Sequence, residues 1–370
     1  NNYYQIYYII SLTLIILSIL TFYLNEMIKE YLIISLISAL ISFYIFEFYL
    51  TFKIVDSKEQ RFQKQMTIKK KEFLDKTNQK FDVRSRYEIF ADLRKQDPKI
   101  QVSYHQNLLI KKNDIFPFGG ISNSKTIHCN ENGYYSIYNS DRYGFNNPDE
   151  EWDKTEVEYL LVGDSFVHGA CVNRPNDISS KLRNLSNKSV ISLGYGSNGP
   201  ILEYASLREF FPDRVKNVLW FYYEGNDVKN LSDELRNIFL KKYINNINFS
   251  QNLKKKQKLV DNLSDKIINL EKKEAAKKAK LSSELKYKIY SYLKLNQLRS
   301  NLNILIPHKR RPPTQNVIKP EFKEILKLAK ELTEKKGSNF YFIYLPTYKR
   351  YKKIDNNDVN YNKVKSVMSE

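Results

Sequence analysis

The sequence lacks several features that would point directly to a function. It contains no cluster of metal-ligating residues and no glycine-rich phosphate-binding loop, so we expect no metal and no cofactor. Only two cysteines occur in 370 residues, Cys129 and Cys171. They fit one disulfide in an oxidising compartment, and two free buried thiols explain them equally well. The chain begins with Asn1 rather than methionine, so we expect the full protein to be longer than this sequence.

Acidic residues are also fewer than basic ones. The chain has 41 Asp and Glu residues against 60 Lys and Arg, a formal charge of +19, so an anionic partner has to be considered. The excess is spread along the whole chain. Ten lysines fall within residues 254–280, but neither aromatic residues nor glycines separate them as in single-strand-binding segments. We therefore expect no nucleic acid partner.

Long apolar runs are present near the start of the chain. Ile6–Leu24 and Tyr31–Leu50 each have about the 20 residues that a helix needs to cross a bilayer, with only Asn25–Glu30 between them. Two buried helices of a soluble core are the alternative, but two such runs with so short a polar gap rarely occur there. The sequence therefore predicts two transmembrane helices in residues 1–52, a hairpin that anchors the protein in a membrane.

The orientation of this hairpin is ambiguous. Lysines and an arginine follow the second span, and the positive-inside rule then places both ends of the hairpin in the cytoplasm. These residues are Lys53, Lys58, Arg61, Lys64 and Lys69–Lys71. A disulfide between the two cysteines would instead require an oxidising compartment. The two signals disagree, and the resemblance described below favours an extracytoplasmic domain.

Three further regions follow the hairpin. Residues 53–98 predict a charged helical stalk, and residues 99–155, rich in Asn, Gly, Tyr and Asp, predict an irregular lead-in segment packed on a larger domain. In residues 156–370, strands that are apolar on both faces alternate with helices, which indicates a doubly wound parallel sheet of α/β type. The predicted strands are Val157–Val162, Ser189–Leu193, Asn217–Tyr223 and Asn339–Leu345, and the predicted helices are Asn176–Leu185, Pro200–Phe211 and Pro320–Lys336.

A charged helical insertion, residues 228–305, interrupts this alternation. Four apolar residues at helical spacing, Val260, Leu263, Ile267 and Leu270, cover about two heptads, fewer than the three or four that a coiled coil needs. We expect a solvated helical insertion that packs through this one stripe. A basic surface that binds anionic lipid headgroups through the lysines is the alternative.

Three sharp turns follow the first three predicted strands. They are GDSFVHG (163–169), GYGSNGP (194–200) and EGND (224–227). The carboxyl ends of parallel strands lie at one edge of a sheet, where helix N-termini and loops converge, so we expect these turns to meet. The sequence predicts a site at this edge.

The residue types in these turns suit acyl transfer. That reaction needs a nucleophile and hydrogen-bond donors aimed at the developing oxyanion. Ser165 can present its hydroxyl, the glycine-rich second turn can offer a backbone N–H, and Asn226 can offer a side-chain amide. Each has a structural alternative: Ser165 as a helix N-cap, the glycines as turn formers, and Asn226 with Asp227 as a cap for the next helix.

These three turns resemble the first signature blocks of the SGNH (GDSL-type) hydrolases, which are esterases and acyl-transferring enzymes on a flavodoxin-like sheet. The resemblance covers about residues 140–227 and the last helix and strand, and the segment DRYGFNNPD (141–149) is similar to a lead-in of membrane-associated members. It implies Ser165 as nucleophile, Gly196 or Ser197 as second oxyanion donor and Asn226 as the third, with Asp164, Gly194 and Asp227 in support.

Two departures from the family pattern matter. Glu224 stands where the third block usually has glycine, and no Asp is followed three residues later by His, although the family takes its base from such a pair. His168, three residues after Ser165, is a poor candidate for that base on geometry. We expect the missing pair downstream of Glu370, and without it the present chain should be nearly inactive.

The sequence therefore predicts a membrane-anchored serine esterase or O-acyltransferase, and the resemblance implies an acyl ester or a cell-envelope glycan as substrate. Two alternatives remain. The first is a catalytically inactive SGNH-like module that binds or assembles envelope glycans, and the second is the basic membrane-surface protein described above.

Overall fold

The computed structural model describes residues 5–105, 115–283, 289–290, 292–299, 318–352 and 358–369. The chain divides into two compact units. Unit 1 comprises residues 1–67 and 279–310, and unit 2 comprises residues 68–278 and 311–370.

The chain begins with two helices, α1 (Gln5–Thr21) and α2 (Glu26–Thr77). Within α2, Glu26–Leu50 is long and apolar enough to cross a membrane, and only 6% of its most apolar stretch is buried, unlike the core helix of a soluble protein. The apolar part of α1, Ser11–Thr21, is shorter. Among the described residues, one helix therefore meets the length of a membrane span, and the second predicted span is not supported.

The predicted stalk is helical in two separate pieces. α2 continues without a break to Thr77, and Asn78 ends it in the left-handed conformation with φ 55°. α3 (Arg86–Gln96) starts at a capping box formed by Ser85 and Glu88. α3 buries Ile89 and Phe90, so this part of residues 53–98 is packed within unit 2 rather than exposed as a stalk.

The lead-in segment contains a small sheet. β1 (Gln101–Val102) pairs parallel with β2 (Lys125–Ile127), which pairs antiparallel with β3 (Ile137–Asn139). A 3-10 helix, Asp149–Asp153, follows. The buried side chains of this sheet form a second core with α3 and α9 (Gln257–Ser283): Ile89, Phe90, Ile100, Val102, Ile127, Ile267 and Ile268. The lead-in is therefore a packed layer with short strands and many turns.

The main sheet of unit 2 has four parallel strands in the order β5-β4-β6-β7. They are β4 (Val157–Val162), β5 (Val190–Ser192), β6 (Val215–Tyr223) and β7 (Asn339–Leu345). Leu160 of β4 lies opposite Val218 of β6 and Ile191 of β5. The remaining helices are α4 (Ser165–His168), α5 (Ile178–Ser186), α6 (Pro200–Phe210), α7 (Asp227–Glu234), α8 (Ile238–Asn245), α10 (Pro320–Lys335), α11 (Tyr348–Tyr351) and α12 (Asp358–Ser369).

Helices cover both faces of this sheet. Trp220 of β6 belongs to the cluster that contains the buried faces of α6 and α10. The next residue, Phe221, belongs to a separate cluster with Ile178 and Leu182 of α5. Successive residues of a strand point to opposite faces, so both faces are buried, as the apolar strands predicted.

The insertion is more deeply packed than predicted. α7 and α8 contribute Leu231 and Tyr243 to the main core. In α9, Val260 and Ile267 of the predicted stripe are buried, but Leu270 is 54% exposed. The buried residue at that end of the helix is Glu271, which is hydrogen-bonded to Arg86 and Tyr87 of α3. At this end of α9, the polar contact of Glu271 therefore decides which residue is buried, and the apolar spacing does not.

Candidate functional site

The first turn places Ser165 at the start of α4. Asp164 is the N-cap: its Oδ1 accepts a hydrogen bond of 2.9 Å from the Phe166 N–H. The Ser165 hydroxyl donates to Oδ2 of Asp164 at 3.4 Å. Ser165 is therefore not the capping residue, and its partly exposed side chain lines a cavity.

The second turn packs directly against the first. A Cβ on Gly194 would lie 2.5 Å from the backbone nitrogen of His168, so only glycine allows this approach. Two residues later, the Gly196 N–H donates to Nδ1 of His168 at 3.1 Å. Since an amide has one hydrogen, Gly196 does not present its N–H to a substrate. The prediction that Gly196 could be the second oxyanion donor therefore does not fit the structure.

Ser197 is the other predicted second donor. It adopts the left-handed conformation, with φ 72°. Within the described parts of the chain, no acceptor binds the Ser197 N–H. Its amide is the one in this pair that remains available to a ligand.

His168 holds the second turn in place and is not a candidate base. Its Nδ1 accepts from Gly196, so Nε2 carries the proton and donates to the Tyr138 hydroxyl at 3.1 Å. Both ring nitrogens are therefore engaged away from Ser165. Burial, with a smaller contribution from His128, holds the pKa of His168 well below its usual value, which keeps the ring neutral.

The third turn brings Asn226 to the same place. Asn226 occupies the N-cap position of α7 but makes no capping hydrogen bond with its side chain. Instead, its Nδ2 donates to Oδ2 of Asp164 at 3.2 Å. One of the two Nδ2 hydrogens is used there, which leaves the other for a ligand in the cavity. The capping alternative for Asn226 is therefore not what the structure has.

Acidic side chains lie beneath these three turns. Asp164, Glu203 and Asp227 are all buried. Burial is the main cause that raises the pKa of each, and repulsion between these carboxylates raises the pKa values of Glu203 and Asp227 further. Asp227 accepts a hydrogen bond of 2.7 Å from the Tyr223 N–H.

The lead-in segment supports the first turn from outside the main sheet. Nδ2 of Asn146 donates to the His168 carbonyl at 2.9 Å. Asn147 exchanges two hydrogen bonds with the backbone of Ser192 in β5. Asp141 is fully buried and accepts four hydrogen bonds from its own segment, and burial raises its pKa to about 6. The DRYGFNNPD segment is thus part of the scaffold of the site.

Cys129 and Cys171 form a disulfide, with 4.9 Å between their Cα atoms. Cys129 follows β2 of the small sheet, and Cys171 follows α4 in the left-handed conformation, with φ 59°. The bond therefore ties the lead-in to the turn that carries Ser165. The predicted pair is therefore at disulfide distance.

The four predicted site residues line one cavity of about 390 Å³, together with His105 and His128. We call it the His105 cavity. Nδ1 of His105 lies 3.5 Å from the Ser197 hydroxyl, and the His105 N–H donates to Glu271 at 2.7 Å. Nδ1 of His128 lies 3.0 Å from the Ser103 hydroxyl. Sequence reasoning gave these two histidines no role, although the position of His128 beside Cys129 was a usable signal.

A second cavity, of about 440 Å³, also includes Ser165. We call it the Phe166 cavity. Its apolar and aromatic lining residues are Phe166, Ala170, Val172, Ile178 and Tyr223, and its polar ones include Glu131, Asn176 and Asp177. The Phe166 and Tyr223 rings pack with their centres 4.6 Å apart. Ser165 therefore lines two cavities, and aliphatic side chains larger than alanine, Val172 and Ile178, line only the Phe166 cavity.

Glu224, which departs from the family pattern, has a local structural role. Its carboxylate accepts a hydrogen bond from the Thr347 N–H at 3.0 Å and pairs with the Arg350 guanidinium. It thereby links the third turn to the residues after β7. A glycine at this position could not make that link.

The comparisons with known proteins add no relative. No family model matches the chain, and neither the curated proteins nor the solved structures contain a significant match. Within the described residues, no group of three His, Cys, Asp or Glu side chains is placed to hold a metal ion. The geometry of the site is therefore the basis for a functional proposal.

Proposed function

We propose that this protein is a membrane-anchored serine esterase or O-acyltransferase of SGNH type, with Ser165 as the nucleophile. One observation carries the proposal. Ser165, Ser197 and Asn226 come from three separate turns and line the same cavity. A hydroxyl and two hydrogen-bond donors around one space are what a tetrahedral acyl intermediate requires.

The reaction follows from these positions. Ser165 Oγ attacks the ester carbonyl carbon and loses its proton to a base. The oxyanion is bound by the Ser197 N–H and the second Nδ2 hydrogen of Asn226. The bond to the alcohol breaks, the alcohol takes up the proton, and an acyl group remains on Ser165. Water or a second hydroxyl then attacks the acyl carbon and restores the serine.

Asp164 positions two of these groups. Its Oδ2 accepts hydrogen bonds from both Ser165 and Asn226, so it fixes their separation. His168 is not the base in this scheme, because both of its ring nitrogens are engaged elsewhere.

The strand order also supports the proposal. In chain order the sheet reads 2-1-3-4, which agrees with the first four strands of a flavodoxin-like fold. In such sheets ligands bind where the order reverses, beyond the carboxyl ends of strands 1 and 3. Those strands are β4 and β6, and the residues that follow them are Ser165 and Asn226.

The two cavities suggest how an ester binds. The apolar lining of the Phe166 cavity suits an acyl chain, and the His105 cavity, with its histidines and Asn226, suits a polar alcohol such as a sugar hydroxyl. The span in α2 supports membrane anchoring, and the disulfide supports an extracytoplasmic location.

A fluorophosphonate probe on the full-length protein tests the proposal. We expect covalent labelling of the wild type and at least a hundredfold slower labelling of Ser165→Ala. Ser232→Ala, on α7, is the matched control and should label like the wild type. Failure of the wild-type protein to label would exclude the esterase and favour an inactive glycan-binding module.

A further inference from the structure

A buried carboxylate interrupts the apolar part of α2. Glu47 lies within Glu26–Leu50 and is 1% exposed. Its two oxygens accept hydrogen bonds from the N–H groups of Gln297, at 2.8 Å, and Leu298, at 2.6 Å. Buried polar groups in a membrane segment are costly unless they are paired, so this contact keeps Glu47 compatible with an apolar helix.

The same part of the insertion makes a second contact with α2. The Tyr44 hydroxyl donates to the Leu293 carbonyl at 3.1 Å, and the Tyr292 hydroxyl donates to the Tyr44 carbonyl at 2.9 Å. The two tyrosine rings lie 5.7 Å apart. We call residues 289–290 and 292–299 the Tyr292 segment. It contacts one turn of α2, Tyr44–Glu47, and all of these residues belong to unit 1.

The positions of Tyr44 and Glu47 along α2 determine how deep in a bilayer these contacts would lie. A helix rises about 1.5 Å per residue, so Glu47 lies about 4.5 Å and Tyr44 about 9 Å before Leu50, where the apolar stretch ends. If the stretch spans a bilayer, this level is the boundary between acyl chains and headgroups. Tyrosines are enriched at that boundary.

The outer side of the Tyr292 segment exposes apolar side chains. Tyr290 is 56% and Leu293 57% exposed, and Ile289 is also exposed. The Lys294 ammonium lies 4.1 Å from the centre of the Tyr290 ring. Apolar groups next to exposed basic residues, here Lys294 and Arg299, are typical of a helix at a membrane surface.

We propose that the Tyr292 segment lies in the membrane interface beside α2, with Leu293 and Tyr290 among the acyl chains and its basic residues at anionic headgroups. We infer that the bilayer covers the exposed apolar side chains of this segment, because the segment is hydrogen-bonded to the apolar stretch of α2. That stretch exposes Phe43 and Phe46, next to the contacts at Tyr44 and Glu47. The proposal rests on α2 crossing the membrane. It gives the insertion a role in anchoring, separate from the chemistry of Ser165.

Depth-dependent quenching tests the proposal. A single cysteine replaces Leu293, is labelled with a nitrobenzoxadiazole dye, and the full-length protein is reconstituted in phosphatidylcholine–phosphatidylglycerol vesicles. The native cysteines are paired and do not compete. Ile37→Cys, inside the apolar stretch, reports on α2, and Leu185→Cys, 86% exposed in unit 2, is the aqueous control.

We expect lipids with a doxyl group near the headgroup to quench the dye at position 293 at least twofold more than the dye at position 185. Quenching at 37 by lipids with a doxyl group deep in the acyl chain, without quenching at 293 by the headgroup-level group, overturns the proposed location of the segment alone. Absence of quenching at 37 by the deep doxyl group overturns it together with the membrane span. Neither result bears on fluorophosphonate labelling of Ser165.

Removal of the Glu47 contact provides the second test. Glu47→Ala leaves the Gln297 and Leu298 N–H groups without their acceptor, so we expect quenching at 293 to fall at least twofold while quenching at 37 stays unchanged. Glu30→Ala, at the other end of the span, is the matched control. Equal quenching at 293 in Glu47→Ala and Glu30→Ala would show that the contact does not hold the segment at the membrane.

Discussion

The two cavities that share Ser165 differ in what lines them. The His105 cavity is formed by the lead-in and by the second and third turns, and it brings two histidines, Ser197 and Asn226 together. The Phe166 cavity is formed by α4, the residues after it, the start of α5 and Tyr223 at the end of β6, with Val172 and Ile178 in its wall. One serine thus lines a cavity that contains two histidines and Asn226, and a second cavity that contains the aliphatic side chains of Val172 and Ile178 beside polar ones.

This difference matters because an ester has two unlike ends. If Ser165 is the nucleophile, the polarity of the cavities decides which end each one accepts. Changes in the His105 cavity should affect the chemical step and its pH dependence. Changes in the Phe166 cavity should affect the choice of acyl group.

The largest expected effect comes from the oxyanion donor in the His105 cavity. Asn226→Ala removes the side-chain donor of the proposed oxyanion hole, so we expect kcat for p-nitrophenyl butyrate to fall about a hundredfold with little change in KM. Steady-state kinetics on the full-length protein measure this. Ser232→Ala on the same helix should be unaffected. An unchanged kcat in Asn226→Ala would remove Asn226 from the proposed oxyanion hole.

The next effect is on stability. Burial, followed by the charges of Arg86 and His105, lowers the pKa of His128 to about 4 from 6.5. The unfolded chain then takes up a proton first as the pH falls, so stability is lost between these two values, by about 2 kcal/mol at pH 5. We expect His128→Asn to lose less thermal stability than the wild type between pH 7.5 and pH 5. Parallel melting curves for the two proteins would contradict this.

A smaller effect is expected in the Phe166 cavity. Val172→Trp fills space that a long acyl chain would occupy, so the ratio of kcat/KM for the octanoate ester to that for the acetate ester should fall about tenfold. Leu185→Trp, on the exposed surface of α5, is the control. A ratio that stays constant in Val172→Trp would place the acyl chain elsewhere.

The smallest effect is expected at His105. Its Nδ1 lies beside the Ser197 hydroxyl, so we expect His105→Gln to label with fluorophosphonate within about threefold of the wild type. The measurement is the rate of labelling. A loss comparable to that of Ser165→Ala would make His105 the base.

Much of the sheet could be predicted from local pattern. Val157–Val162 and Asn339–Leu345 have the predicted bounds because each is an apolar run that ends at turn residues. That the turns at 163–169 and 224–227 would meet followed from the geometry of parallel strands. The predicted membrane hairpin was less secure, since the apolar part of α1 is shorter than a span.

The assignments within the site depended on distant contacts. Whether Gly196 or Ser197 keeps a free N–H is decided by His168, 28 residues away from Gly196 along the chain. Asn226 could cap its own helix, but Asp164, 62 residues away, takes its amide instead. Local sequence patterns cannot predict which of these hydrogen bonds forms, because the choice depends on which partner the fold brings close.

The sequence by itself determined the alternation of strands and helices, because hydrophobic period is a local property. It also predicted the edge at which the polar turns collect, because strands that alternate with helices and are apolar on both faces indicate a parallel sheet. The tertiary structure alone decided which donors remain free, how the lead-in joins the site through Cys129 and Cys171, and which part of the insertion lies against α2. Those outcomes depend on hydrogen bonds and contacts between residues far apart in the chain, and such pairings form only when the whole chain is folded.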